Sequence, residues 1–466
     1  MRDLTQGPIP GHLVAMATPI AIGMLGQTLY FLIDLYFVAR LGDAALAGVG
    51  AAGLAMFVVM ALTQMLGVGA MALIAQAVGR KDPHEANLVF NQSLVLAGIF
   101  MAGTLIGGYA LNGWYMDTIA ADAETAAAGV AYLSWFLPGL ALQYVTVVMM
   151  SALRGTGVVK PTMIVQMSTV LLNAVLAPVL IAGVGTGRPM GVAGAGFAST
   201  IAIVAGVFML VWYFWRLEKY VHLHGELWRP RFAVWKRMIN IGLPAGGEFG
   251  LMFVFMAVIY WVIRDFGSAA QAGFGLGMRL MQSIFLPAMA IAFATAPIAG
   301  QNFGAKQYDR VRQTFRSAST ISMALMIGLT VLCQFWPEWL VRFFTQEPDV
   351  VEIATHFLRL VSLNFAASGI IFSCSGIFQG LGHTWPALGS TASRLITFML
   401  PAVWMSTQPW LTLDHVWYLS VASVWLQAGI SVLLLMRTMR ARMRRLCGVG
   451  LLHVADGVQR DVVARL

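Results

Sequence analysis

A single carboxylate, Asp34, interrupts the stretch LYFLIDLYFVARLG at residues 29–42, inside an apolar run that reaches back to about Leu13. An ionised Asp near the middle of a membrane span costs about 2.5–3.5 kcal/mol on insertion scales, so a chain keeps one there mainly where it meets water, a partner or an ion. The chemistry open to such a group is reversible: it can take up and release a proton or a cation. Of the 20 Asp and Glu residues, only Asp34 and Glu248 fall well inside apolar segments, with Asp43 and Asp265 at segment ends. For Asp34, the alternative to ion coupling is a carboxylate held by Gln27, Tyr30 or Asn173 simply to join helices. For Glu248 two readings stand level: an ion pair with Arg279 or Arg394, or a second proton or cation site.

Those residues need a bilayer around them, and composition supplies the argument. The chain has 466 residues, 59% of them hydrophobic and 11% charged, and its mean hydropathy is +0.77, a balance far from that of soluble globular chains. The sequence predicts an all-α polytopic membrane protein with about twelve spans, near 13–39, 45–77, 91–111, 130–153, 160–183, 192–215, 237–263, 270–300, 317–335, 354–380, 386–406 and 415–437. The opening MRDLTQGPIPGHL shows no cleavage pattern after its first apolar stretch, so it reads as the approach to span one. Alternate connections are basic: Arg80 and Lys81, Arg154 and Lys160, the run from Arg216 to Arg237, then Lys306, Arg310, Arg312 and Arg316, and the tail from Arg437 to Arg445. The positive-inside rule places these, with both termini, in the cytoplasm. The connections holding Asp117, Asp122, Glu124, Glu338, Glu347, Asp349 and Asp414 fall outside. The net charge of +9 is then a topology signal, and nucleic acid is not expected as a partner.

The chain is also a duplication. An offset of 225 carries Pro19 to Pro244, Gly42 to Gly267, Gly48 to Gly273, Gln76 to Gln301, Gly79 to Gly304, Lys81 to Lys306, Gly157 to Gly382 and Pro161 to Pro386, one register across six spans. A six-span unit begins and ends on the same side, so the halves are parallel repeats about an axis along the membrane normal, with a cavity between two lobes. The expected division is an N-terminal lobe at 1–218, a cytoplasmic linker at 219–236, a C-terminal lobe at 237–440 and a cytoplasmic tail at 441–466. Asp34 and Glu248 have Ile259 and Gly23 as repeat partners. Neither acid belongs to the shared fold, so each serves its own lobe.

Enzyme-like signals are weak. GVGAAG at 48–53 fits a dinucleotide pattern but follows no strand, and helix packing by small residues explains it. The His222/His224 pair lies in the linker and reads as a solvated loop, the three cysteines are scattered, and no Ser/His/Asp or HExxH arrangement occurs in a span. No enzyme activity and no cofactor are expected. Met56, Met60 and Met65 recur at helical spacing, suiting a pliable wall for ligands of differing shape, though core packing is the commoner role for any one of them.

Four stretches carry a family resemblance over roughly residues 13–437: Pro19 with TLYFLIDLYFVARLGDAALAG, the loop AQAVGRKD, the loop SALRGTGVVKPTM, and GFGLGMRLMQSIFLPAMAIAFATAPIAGQNFGAK at 273–306. In these the chain resembles the multidrug and toxic compound extrusion family. The resemblance implies a V-shaped bundle of two six-helix lobes that exports small organic cations in exchange for protons or sodium, with Asp34 in ion coupling. It also implies a bacterial cytoplasmic (inner) membrane location. At one place the chain departs from the family pattern. Span five reads NAVLAPVLI, with Asn173 present but Ala177 where the pattern has an acid. Asn173, with Ser199 or Thr200 of GAGFASTIA, still offers neutral oxygens, and losing a carboxylate tilts the expected coupling ion to the proton, with sodium at Asp34 and Asn173 as the alternative. The candidate set is therefore Asp34, Asn173, Gln27, Tyr30, Ser199, Thr200, Glu248 and Arg279, with Pro19 as a hinge. A monomer in the bilayer is expected. The competing function is a flippase for a lipid-linked or amphipathic substrate, a class that calls for a cavity rich in Arg and Lys; the span interiors offer only Arg279 and Arg394.

Overall fold

The computed structural model describes residues 1–185 and 187–463, with side chains other than those of 54 and 442–463. Among the described residues there is no strand. The first half forms α1 (Ile9–Ala39), α2 (Asp43–Gly79), α3 (Pro83–Ile119), α4 (Ala123–Gly155), α5 (Lys160–Ile181) and α6 (Val192–Arg216). The second half forms α7 (Phe232–Ile263), α8 (Ser268–Gly304), α9 (Tyr308–Phe335) and α10 (Pro348–Gly380, with a 3₁₀ turn at Ser362–Asn364). It is completed by α11, described below, and α12 (Leu413–Val463), which runs on through the expected tail; Arg442, Arg444, Arg445 and Cys447 lie among the side chains that are not described. Eleven of these helices are long and apolar enough to cross a membrane, by length and composition.

The eleventh span in chain order, expected at 386–406, is interrupted. Trp385–Arg394 is α-helical, Leu395–Met399 forms a π-helical turn, and Leu400–Ser406 resumes the α-helix; together they make α11. Pro401 has no N–H to give the carbonyl four residues back, and the wider turn before it absorbs the mismatch. Elsewhere the helix starts are set locally. Asp82 caps α3 by accepting from the Glu85 N–H at 2.9 Å, ahead of Pro83, and Asp122 caps α4 by accepting from the Thr125 N–H at 2.7 Å.

The duplication is visible in the backbone. Lys81 and Lys306, one repeat apart, both adopt left-handed φ values, 57° and 60°, a conformation uncommon for residues other than glycine. Where the lobes meet, contacts come in reciprocal pairs. Gln76 Nε2 donates to the Gly380 carbonyl at 2.9 Å, and Gln301 Nε2 donates to that of Gly155 at 3.0 Å. A Cβ at Gly79 would collide with the Gln301 carbonyl, and one at Gly304 with that of Gln76. The GVGAAG stretch packs helices, since a Cβ at Gly48 would meet the Thr125 carbonyl and Gly129 N–H on α4, just as one at Gly273 would meet Ile353 on α10.

The first helix of each half serves both lobes. The start of α1, with Ile9, Leu13, Met16 and Ile20, packs on Ala290, Ile291, Ala294 and Ile298 of α8. Beyond Pro19, Gly23 and Gly26 lie against Gln166, Met167 and Val170 of α5. In α7 the pattern repeats about Pro244. Trp235, Met238 and Ile241 belong to the N-lobe core, whereas Ile259, Val262 and Ile263 belong to the C-lobe core. The lobes thus interlock at the end that carries Arg80, Lys81, Arg154, Lys306 and Arg310. Toward the other end Leu25, Leu29, Leu32, Phe57 and Phe253 are exposed.

Two segments cross the basic end. The N-terminal residues form a strap: the Arg2 N–H donates to the Thr156 carbonyl of one lobe, while Leu4, fully buried, donates its N–H to Gln301 Oε1 of the other and accepts from Asn302. The linker between the halves is fastened to α3 by three amides. Asn87 binds the backbone of Tyr220 and His222, Asn91 that of His222 and His224 together with the Trp228 indole N–H, and Gln92 that of Leu227, Arg229 and Arg231.

Candidate coupling site

Asp34 lies on α1 in the half beyond Pro19 that belongs to the N-lobe. Ser199 on α6 donates its hydroxyl to Asp34 Oδ2 at 2.9 Å, and Asn173 Nδ2 on α5 donates to Ser199 Oγ at 3.4 Å. Asn173 and Ser199 are fully buried. Tyr30, one turn before Asp34, brings its ring to the same place, and buried Tyr132 on α4 stands close enough to sense the Asp34 charge. The local reason is periodicity: residues 30 and 34 share one face of α1 at four-residue spacing, and small residues at Gly23 and Gly26 let that face approach α5.

Three oxygens here have no hydrogen-bond partner within the protein although their atoms are buried: Asp34 Oδ1, Asn173 Oδ1 and the Tyr30 hydroxyl. Buried polar atoms without partners carry a free-energy cost of about 1–3 kcal/mol each, so such a cluster is built around something it can bind. One carboxylate with several neutral oxygens can hold a small monovalent cation. It can equally hold a proton, since a protonated Asp34 would become a donor to Asn173 Oδ1 or to the tyrosine. Among the described residues no group of three or more His, Cys, Asp and Glu could hold a metal ion. His222 and His224 instead face each other edge to face at 6.0 Å, their backbones caught by Asn87 and Asn91.

Two expected members lie outside the cluster. Gln27 is exposed. Thr200 turns to α4 instead, donating to the Trp135 carbonyl at 2.6 Å and accepting from the Gly139 N–H at 3.3 Å. Adjacent positions on a helix point about 100° apart, so Ser199 and Thr200 cannot both face Asp34. Tyr132 was not legible in the sequence as part of this group, because only the packing of α4 against α6 brings it there.

In the C-lobe, Glu248 sits part-way along α7, and its expected ion pair is absent: no salt bridge to it occurs among the described residues. Arg279 is exposed on α8 and joins no site residue. Arg394 points elsewhere, its guanidinium 4.8 Å from the Phe255 ring centre and 5.6 Å from that of Phe398. The correction has a steric reason: with α7 and α11 side by side, Arg394 lies level with Phe255, two turns beyond Glu248.

Comparisons with known proteins agree with this arrangement. The MatE family model matches residues 19–179 and again 244–404, two copies separated by the repeat offset. The multidrug export protein MepA of Staphylococcus aureus is 26% identical over 386 residues, covering 81% of this chain and 83% of that protein. An FAD transporter of Shewanella oneidensis is 22% identical over 408 residues, covering 86% and 89% of the two chains. Among solved structures, the crystal structure of MATE in the bent conformation superposes with a TM-score of 0.88 at 24% identity, covering 95% of this chain and 98% of that one.

Proposed function

We propose that this chain, which belongs to the MatE family of membrane transporters, exports organic cations from the bacterial cytoplasm in exchange for protons. The observation that carries the reading is the set of unpartnered oxygens around Asp34, held in one lobe on the half of α1 beyond Pro19. A cationic substrate and a coupling ion that both need this carboxylate exclude each other, and by linkage each weakens the other by the same free energy. Ala177, in place of a second acid, leaves one carboxylate, which suffices for a proton and gives sodium less charge. MepA, named a multidrug export protein, supports drug-like substrates.

The basic end is read as cytoplasmic by the positive-inside rule, which makes the interlocked end the cytoplasmic one. Alternating access then requires the interlocked halves before Pro19 and Pro244 to part from the opposite lobe, and a proline interior to a helix is where such bending is cheapest. Export of a cationic fluorescent dye by energised inverted vesicles tests the proposal. Collapse by a protonophore, with no effect of dissipating a sodium gradient, is the expected result; dependence on sodium alone would transfer the coupling to that ion, and no export would end the reading.

A further inference from the structure

The repeat maps each member of the Asp34 cluster onto the C-lobe: Tyr30 onto Phe255, Asp34 onto Ile259, Tyr132 onto Phe357, Asn173 onto Phe398 and Ser199 onto Val424. Each counterpart is apolar and buried. In the place corresponding to a polar cation site the C-lobe thus has a packed apolar, largely aromatic cluster, and the charge over it is positive, the Arg394 guanidinium covering the rings of Phe255 and Phe398. Arg394 has no ion pair among the described residues, and its Nε is buried without a hydrogen-bond partner. Three residues further on, Thr397 Oγ1 is a second buried polar atom without a partner. The two flank the start of the π-helical turn Leu395–Met399, a distortion that recurs at functional sites. Arg394 as a whole is half-buried, with its Nε fully covered.

We infer that Arg394 and Thr397 form a binding site for the anionic group of an amphoteric substrate, the rings of Phe255 and Phe398 serving to hold the guanidinium. A guanidinium offers five donors in a planar fork that matches a carboxylate, and the Thr397 hydroxyl three residues on adds a further donor. The rings of Phe255 and Phe398 stack on the guanidinium itself, and a stacked guanidinium keeps its edge donors free for the ligand. Cationic groups would be met by Asp34 in the other lobe, so the two lobes divide recognition by sign. This refinement rests on the export reading above and extends its substrate class from cations to molecules carrying both charges.

A matched pair of dyes isolates the anionic group: a rhodamine ethyl ester, which is a cation, and its free acid, which is a zwitterion. Binding of each to the purified full-length protein in a non-ionic detergent free of phospholipid is followed by fluorescence anisotropy. Arg394→Met should weaken binding of the acid by about tenfold or more, the scale of a lost charge-assisted contact, and leave the ester within about twofold. Arg394→Lys should restore part of the difference, since it keeps charge but not the fork, and Thr397→Val should weaken the acid alone by a smaller factor. The ester reports folding in every variant. Equal weakening of both dyes, or an acid affinity untouched by Arg394→Met, overturns the site. Failure of the wild type to export either dye from energised vesicles while the acid still binds through Arg394 would count against export and leave the site standing.

Discussion

At the scale of the residue, Asp34 is a carboxylate with one oxygen satisfied by Ser199 and the other left open. Protonation turns it from an acceptor of cations into a neutral donor, so substrate affinity should fall as the pH is lowered. Asp34→Asn is close in shape, keeps an oxygen for Ser199 and is permanently neutral. It should reach the membrane at normal levels, lower cationic dye export at least about tenfold, and flatten the pH profile of whatever binding remains. An unaltered pH profile would move coupling to Glu248. The linker amides make a different kind of prediction. Asn91 alone satisfies the His222 carbonyl, the His224 N–H and the Trp228 indole, so Asn91→Ala should lower thermal stability by about 1–3 kcal/mol through unpaired groups, measurable as an earlier unfolding transition without loss of export in the folded fraction.

At the scale of the element, α1 and α7 share one design: residues before the proline lie in the opposite lobe and residues after it in their own. Each proline leaves the carbonyl four residues back without its helical donor, so the axis can flex there without losing a bond. Pro19→Ala restores that bond and should stiffen α1, slowing export several-fold while dye affinity at equilibrium stays within about twofold. By the repeat, Pro244→Ala should act in the same direction. Transport rates measured in vesicles against binding to purified protein separate the two quantities, and a rate unchanged in both variants would show that neither helix bends during the cycle.

At the scale of the whole molecule, the lobes close on each other through backbone, and that makes the closure easy to perturb. Gly79 and Gly304 each face a carbonyl of the other lobe with no room for a methyl group. Gly79→Ala or Gly304→Ala should destabilise this closed end by about 1–3 kcal/mol, enough to shift the population roughly fivefold to a hundredfold toward a form open there, since about 1.4 kcal/mol is a factor of ten. Spin labels replacing Lys81 and Lys306 should report a longer distance in either variant. The strap through Leu4 spans the same end, and its removal should favour the same opened form. Tags near Arg229 should be accessible only from the cytoplasm and one near Asp122 only from outside; external labelling at Arg229 would reverse the orientation assigned to every loop.

What the sequence determined by itself was what a bilayer and a duplication enforce. Lipid admits only segments whose backbone is internally satisfied, so apolar length alone marks the helices, and the offset of 225 gives the two-lobe plan and the reciprocity of Gln76 with Gln301. Asp34 was legible because a lone acid in an apolar span is costly. Its partners were only partly so: the sequence offered Ser199 and Thr200 as equals, and the rotation of α6 against α4 decided between them. Tertiary structure alone decided that Glu248 has no ion-pair partner among the described residues, that Arg394 covers two aromatic rings close in sequence to Thr397, whose buried hydroxyl has no hydrogen-bond partner there, and that the span before Pro401 widens into a π-helical turn. Those outcomes depend on how helices distant in the chain rotate and settle against one another, and hydropathy along one chain does not encode that rotation.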